Sequence, residues 1–275
     1  MRLNTILILI LILILIYNIY NKKEQFTNSK NKNAFCLLTK SPSIIWLDFL
    51  NTCTNDYDVY IVVDNILDDY SDFINKFPNI NFVIISDEEC KSANYYNSDY
   101  LIKPIVATDR AYYFFNKNEK KYLHIWFCED DVFFENINML KNLDNKYPND
   151  DIISNRIAIN NQGDKNETWH FPFLYKSGQI KFPPPIVFGA QCLTRFSNNL
   201  MQKLHEYVQQ YKTLDYKEFL FHTIAIHNNM SFITPVELEN VTVSKQYSNL
   251  NPKKEYDQIY HPVKDLELHI KNRNL

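Results

Sequence analysis

The stretch WFCEDDVFF, residues 126–134, runs apolar residues into three consecutive acids and returns at once to apolar ones. Ionised together, Glu129, Asp130 and Asp131 repel one another, while the residues flanking them favour burial. Carboxylates left unpaired at the end of a buried strand are costly. A compensating charge is therefore expected, and a divalent cation is the simplest one. Hard carboxylate oxygens suit Mg2+ or Mn2+, ions that commonly bind substrate phosphates as well. Such an ion neutralises charge developing on a departing diphosphate. A further acid, Asp64, closes the apolar run DVYIVVD over residues 58–64.

For these acids to act together, the elements that carry them must share a sheet. In open α/β sheets, ligands bind beyond the carboxyl ends of the strands. The pattern predicts strands over 34–39, 58–64, 81–86 and 122–131. Between them, helical spacing falls over 43–54, through Ile44, Leu47 and Leu50, and over 108–121, through Ala111, Tyr112, Phe114 and Phe115. Strands alternating with helices predict an α/β sheet with parallel strands. The second half is less regular. It reads as a strand over 151–155, an aromatic- and proline-rich ordered loop over 162–188, an amphipathic helix over 197–211, a helix over 217–228 and a late strand over 230–238. Aromatics at 169–188 could line an acceptor groove or simply pack.

The 275 residues suffice for one large domain or two small ones, with a sizeable core. A net charge of −3 gives no overall basic field for nucleic acid. Only three glycines occur, which excludes a glycine-rich phosphate loop. The five cysteines form no CxxC pair, so they predict no zinc site; Cys36 and Cys128 read as core residues. One or two disulfides are compatible with an oxidising compartment.

Residues 1–20, with the run LILILILILI, read as an uncleaved transmembrane signal anchor, because no small-residue cleavage site follows. Residues 21–33 read as a flexible stem, and residues 34–275 as the folded body. Arg2 on one side and Lys22 and Lys23 on the other leave the orientation open. Sequons at Asn166, Asn229 and Asn240 favour a lumenal body of the ER or Golgi type.

The acid triplet at a strand end resembles the Asp-X-Asp motif of the GT-A nucleotide-sugar glycosyltransferases. TDRAYYFF, residues 108–115, resembles the helix under the donor nucleotide in that family, and YHPVK, residues 260–264, resembles its C-terminal histidine element. An anchor plus a stem is also a common build there. The resemblance spans roughly residues 34–265. It implies a GT-A-like, Rossmann-type mixed sheet sandwiched by helices and preceded by a transmembrane helix. It implies transfer of a sugar from a nucleotide diphosphate donor to a glycan, protein or lipid hydroxyl, with Mn2+ or Mg2+, and with inversion if a single base serves. By position, Asp131 would ligate the metal, Glu129 or Asp130 would contact the ribose or the metal, and Asp64 would contact the nucleoside. His261 would complete the metal or diphosphate site. Glu218, in LDYKEFLFH, would be the base, with Asp215 as substitute. Gly189 would let the backbone approach the sugar, and Arg195 and Lys264 would meet the diphosphate.

Each residue also has a plain reading. The triplet could be a solvated turn, Asp64 a helix cap, His261 a packed histidine and Glu218 a helix-face acid. Arg110 and Arg195 could be structural ion-pair partners. Two other functions fit the same residues. A metal-dependent phosphoesterase or nucleotidyltransferase would hold two ions roughly 4 Å apart. A non-catalytic, membrane-tethered binding protein would keep Glu218 and His261 far from the triplet.

Overall fold

The computed structural model describes residues 32–97, 105–161, 181–242 and 258–273. The predicted anchor, most of the stem, the Asn166 sequon and most of the aromatic-proline stretch lie outside the described residues. Among the described residues, no helix is long and apolar enough to cross a membrane.

Seven strands form one mixed sheet in the order β3-β2-β1-β4-β6-β5-β7. The first strand, β1 (Asn33–Thr39), is an unbroken apolar run, as suits a strand covered on both faces. Its residues alternate between two cores. Ala34, Cys36 and Leu38 face one, and Phe35 and Leu37 face the other. Helix α1 (Ile44–Cys53) starts where the Ser43 hydroxyl accepts a hydrogen bond from the Trp46 amide. It leads into β2 (Asp58–Val63), parallel to β1. Helix α2 (Ser71–Lys76) and β3 (Ile80–Val83) extend the same edge. The chain then passes through α3 (Asp87–Ser92) and α4 (Ala107–Lys117) and returns on the other side of β1 as β4 (His124–Glu129), again parallel. The direction of winding reverses between β1 and β4, and such switch points open a crevice at the strands' carboxyl ends.

The second half is antiparallel around β4. Helix α5 (Asn138–Lys146) precedes β5 (Ile152–Asn160). The 12-residue strand β6 (Ile186–Ser197) then inserts between β4 and β5, antiparallel to both. The sequence pattern predicts loop up to residue 188 and no strand between it and the helix at 197, an expectation that fails at β6; the predicted parallel strands hold for β1–β4, and antiparallel β6 makes the sheet mixed. Gln191, Thr194 and Arg195 break its apolar run, yet all 12 residues are buried. Helix α6 (Asn198–Tyr211), capped by Ser197, and α7 (Lys217–His227) follow. The predicted strand at 230–238 shrinks to β7 (Phe232–Ile233) and a single 3-10 turn (Val236–Leu238) around Pro235, which has no amide to donate to a ladder.

Helices cover both faces of the sheet. Residues of α4, α6 and α7 share one core with β1 and β4, and residues of α1 and α5 share the other. All five cysteines are buried free thiols, so the disulfides left open by the sequence do not form. The last helix, α8 (Leu266–Arg273), pins the tail. The Arg273 guanidinium lies 4.2 Å from the Trp46 ring and 4.0 Å from the Phe49 ring, and its Nε donates to the Phe134 carbonyl at 3.1 Å.

Candidate functional site

Glu129 is the last residue of β4, and Asp130 and Asp131 form the turn after it. They stand beside the end of β1, at the switch point. Asp130 is tied to the scaffold. The Thr39 hydroxyl donates to its Oδ2 at 2.5 Å, and the Trp46 indole donates to its carbonyl at 2.7 Å. Burial raises the Asp130 carboxyl, the Thr39 hydrogen bond opposes this, and the charges of Asp131 and Glu129 add to it. Asp130 therefore buttresses β1 and α1 against the end of β4.

Those neighbours converge on His261. The tail reaches them by pairing along the crevice: Phe133 and Tyr260 exchange hydrogen bonds at 2.8 and 2.9 Å, and the Val263 amide donates to the Asp131 carbonyl at 2.6 Å. The His261 ring lies with Nε2 3.0 Å from Asp131 Oδ1 and 3.6 Å from Glu129 Oε2. Its Nδ1 is 2.5 Å from the Thr242 carbonyl oxygen. A carbonyl can only accept, so Nδ1 carries a proton, and Nε2 points at the acids. Burial would lower the His261 pKa, but the hydrogen bond and charge of Asp131 outweigh it, and the net shift is upward. Burial likewise opposes ionisation of Asp131, and the His261 hydrogen bond and charge reverse this, so its pKa falls.

Helix α7 supplies the opposite wall. Lys217, its first residue, places Nζ 2.8 Å from Glu129 Oε1. Burial would lower the lysine pKa, and the charge and hydrogen bond of Glu129 raise it overall. Sequence reasoning misses Lys217, although the Lys-Glu pair opening the helix in LDYKEFLFH marks it. Glu218, the next residue, is buried, and its Oε2 finds no hydrogen-bond partner among the described residues. Burial raises its pKa, Tyr216 and Lys217 oppose, and the nearby Glu129 charge adds to the rise. The third wall is β6, where Cys192 is buried next to Leu193, the register partner of Cys128.

Other predicted residues fall around this centre or away from it. Asp64 lies at the end of β2, where the fully buried Arg110 donates to its Oδ1 at 2.8 Å. Arg110 also pairs with Asp87 and donates through Nε to the Ile85 carbonyl at 2.9 Å. It is thus the structural ion-pair partner of the plain reading, and it holds Asp64 at the crevice rim. Lys264 is exposed, and its charge helps to lower the Asp131 pKa.

Three expectations need correcting. Arg195 does not reach the crevice. Its side chain is 0% exposed and binds Asp144 at 2.9 Å and the carbonyls of Tyr147 and Asp150. The guanidinium is spent on a carboxylate and two carbonyls beneath the sheet's end, away from the acid triplet. Gly189 does not open the backbone to a sugar. A Cβ there would sit 2.1 Å from Cε1 of the buried His222, so the glycine makes room for that ring. Asp215 accepts from the Tyr207 hydroxyl and, at 3.3 Å, from the Lys181 amide, which places it in the wall behind α7 as a structural acid.

The donor set suits a divalent ion. Glu129, Cys192 and His261 place one ligand atom each within 4.8 Å of one another, Asp131 adds a carboxylate oxygen 3.0 Å from His261 Nε2, and the opposite ring nitrogen of His261 is already fixed by a carbonyl, a common arrangement behind metal-ligating histidines.

No protein-family model matches the chain, and no curated protein matches its sequence. Among solved structures, 4-diphosphocytidyl-2C-methyl-D-erythritol synthase from Anaerococcus prevotii is 9% identical, covering 90% of this chain and 98% of its own, with a TM-score of 0.44. Mouse xyloside xylosyltransferase 1, in its apo form, is 12% identical, covering 84% of this chain and 97% of its own, with a TM-score of 0.42. Likenesses this slight carry no argument about activity, and the chemistry rests on the side chains just described.

Proposed function

We propose that this protein is a membrane-anchored glycosyltransferase that moves a sugar from a nucleotide diphosphate donor to a hydroxyl acceptor, with inversion. The observation that carries the reading is the convergence of Glu129, Asp131 and His261 at the β1/β4 switch point. These three would hold Mn2+ or Mg2+, which there supplies charge neutralisation for the leaving diphosphate. Asp64, fixed by Arg110, would bind the nucleoside, and exposed Lys264 would meet the diphosphate. Glu218 would take the acceptor hydroxyl's proton on Oε2, the oxygen that lacks a protein partner. The acceptor oxygen then forms the new bond to the sugar's anomeric carbon, while the bond to the diphosphate breaks and its electrons leave with the diphosphate. Burial raises the Glu218 pKa, which makes its carboxylate a stronger base for that proton transfer.

The two-ion reading is weaker, because Asp64, paired with Arg110, belongs to no group of ligand atoms with Glu129 among the described residues. The binding-protein reading requires His261 far from the triplet, and the ring lies 3.0 Å from Asp131. The test is a hydrolysis screen of the full chain over nucleotide sugars with Mn2+, read as nucleoside diphosphate release, with Asp131→Asn as control. If no donor is turned over, or the substituted protein turns it over equally well, the proposal is wrong.

A further inference from the structure

Cys192 brings a soft donor to a centre otherwise made of hard ones. A carboxylate oxygen of Glu129, Sγ of Cys192 and a ring nitrogen of His261 lie within 4.8 Å of one another. Among the described residues, this is the only group of three or more histidines, cysteines and acids so placed. Mg2+ and Mn2+ favour oxygen donors and draw little from a thiolate, whereas zinc-class ions bind a Cys, His and carboxylate set readily.

We infer that Glu129, Cys192 and His261 form a site for a thiophilic divalent ion of the zinc class. Several features prepare it. His261 Nδ1 is held by the Thr242 carbonyl at 2.5 Å, which orients Nε2. Lys217 engages Oε1 of Glu129, and Oε2 is the oxygen that faces His261. The Cys192 sulfur makes no hydrogen bond among the described residues. Zinc bonds of about 2.0–2.3 Å put tetrahedral ligands roughly 3.5 Å apart; Glu129 Oε2 and His261 Nε2 already stand 3.6 Å apart, and the Cys192 sulfur, within 4.8 Å of both residues' ligand atoms, closes the rest. Asp131 Oδ1, 3.0 Å from His261 Nε2, or a water molecule would fill the fourth position. On binding, the S–H bond breaks, the proton leaves to solvent and the sulfur bonds the ion.

Because Glu129 and His261 also belong to the proposed Mn2+ site, a zinc-class ion would exclude the harder one. That consequence rests on the transferase reading; the binding itself does not.

The experiment titrates the full chain with Co2+ and follows thiolate-to-cobalt charge-transfer absorption, then displaces Co2+ with Zn2+. One equivalent should produce the band, and Zn2+ should remove it. Cys192→Ser should abolish the band and weaken Zn2+ binding by roughly tenfold or more, whereas Cys90→Ser, on α3, should keep both. Should Cys192→Ser not fold, zinc-edge absorption on the wild-type 1:1 complex decides, since one sulfur at about 2.3 Å is expected. A wild type without the band, a band that survives Cys192→Ser, or a zinc shell of oxygen and nitrogen alone would overturn the inference. No sugar donor is used, so this failure is distinct from a failure of the donor screen.

Discussion

His261 Nε2 lies 3.0 Å from Asp131 Oδ1, and each group shifts the other's titration in its own favour. The raised His261 pKa stabilises the fold fully below its ordinary value of 6.5, and that contribution is lost as pH rises through the folded value. The lowered Asp131 pKa stabilises the fold above its ordinary 3.8, and that contribution is lost as pH falls through the folded value. In metal-free buffer, the difference in melting temperature between wild type and His261→Ala should therefore be largest between about pH 4 and 6.5 and shrink toward pH 9. Mn2+ reverses the trend, because it needs the ring nitrogen without its proton. Mn2+ affinity should rise with pH over the same upper range. A pH-independent difference in melting temperature would refute the ion pair.

Lys217 counters Glu129 at 2.8 Å, with both side chains about one third exposed. Lys217→Met should cost the metal-free protein about 1 kcal/mol or less, as expected for a partly solvated pair. It should also leave the acids uncompensated, so the rise in melting temperature on adding Mn2+ should exceed that of wild type. Calorimetry with and without the ion measures both. An equal or smaller Mn2+ effect would show that Lys217 does not share the acids' charge with the ion.

The Arg195–Asp144 pair is buried away from the crevice. Asp144 also accepts from Tyr57, Trp126 and Asn33, so its removal orphans a buried guanidinium and three donors. Asp144→Ala should destabilise the fold by roughly 3–5 kcal/mol in denaturant titrations. Arg195→Met, which takes the charge away and keeps the volume, should cost far less and leave Mn2+ affinity unchanged. Loss of Mn2+ binding in Arg195→Met would return Arg195 to the crevice.

Gly189→Ala should destabilise by roughly 1–3 kcal/mol or more, because the added methyl meets the rigid ring of His222 inside the core. The double substitution with His222→Ala should recover part of that loss, as expected for residues in contact. Additive losses in urea midpoints would contradict the close approach.

Glu218→Gln keeps the shape of the side chain and removes the proposed base. In the transferase assay, kcat should fall by about 100-fold or more while donor KM changes little. A parallel rise in KM would instead place Glu218 in donor binding.

By itself, the sequence determined the strand–helix alternation of the first half and the acids at the exits of β2 and β4. Both are local properties: an unbroken apolar run reports a strand buried on two faces, and an acid after it marks the exit. The tertiary structure alone decided partnership. A charge or a glycine announces that it needs a partner or space without saying which. Arg195 finds Asp144 at a sequence distance of 51, Glu129 finds Lys217 at 88, and Gly189 yields to His222 on another element. Each of these depends on the antiparallel insertion of β6 between β4 and β5, which the polar residues of β6 conceal from any pattern of hydrophobicity. His261 lies 130 residues beyond Asp131, and it reaches the crevice because α8 and the Phe133–Tyr260 bridge carry the tail back across the end of β4.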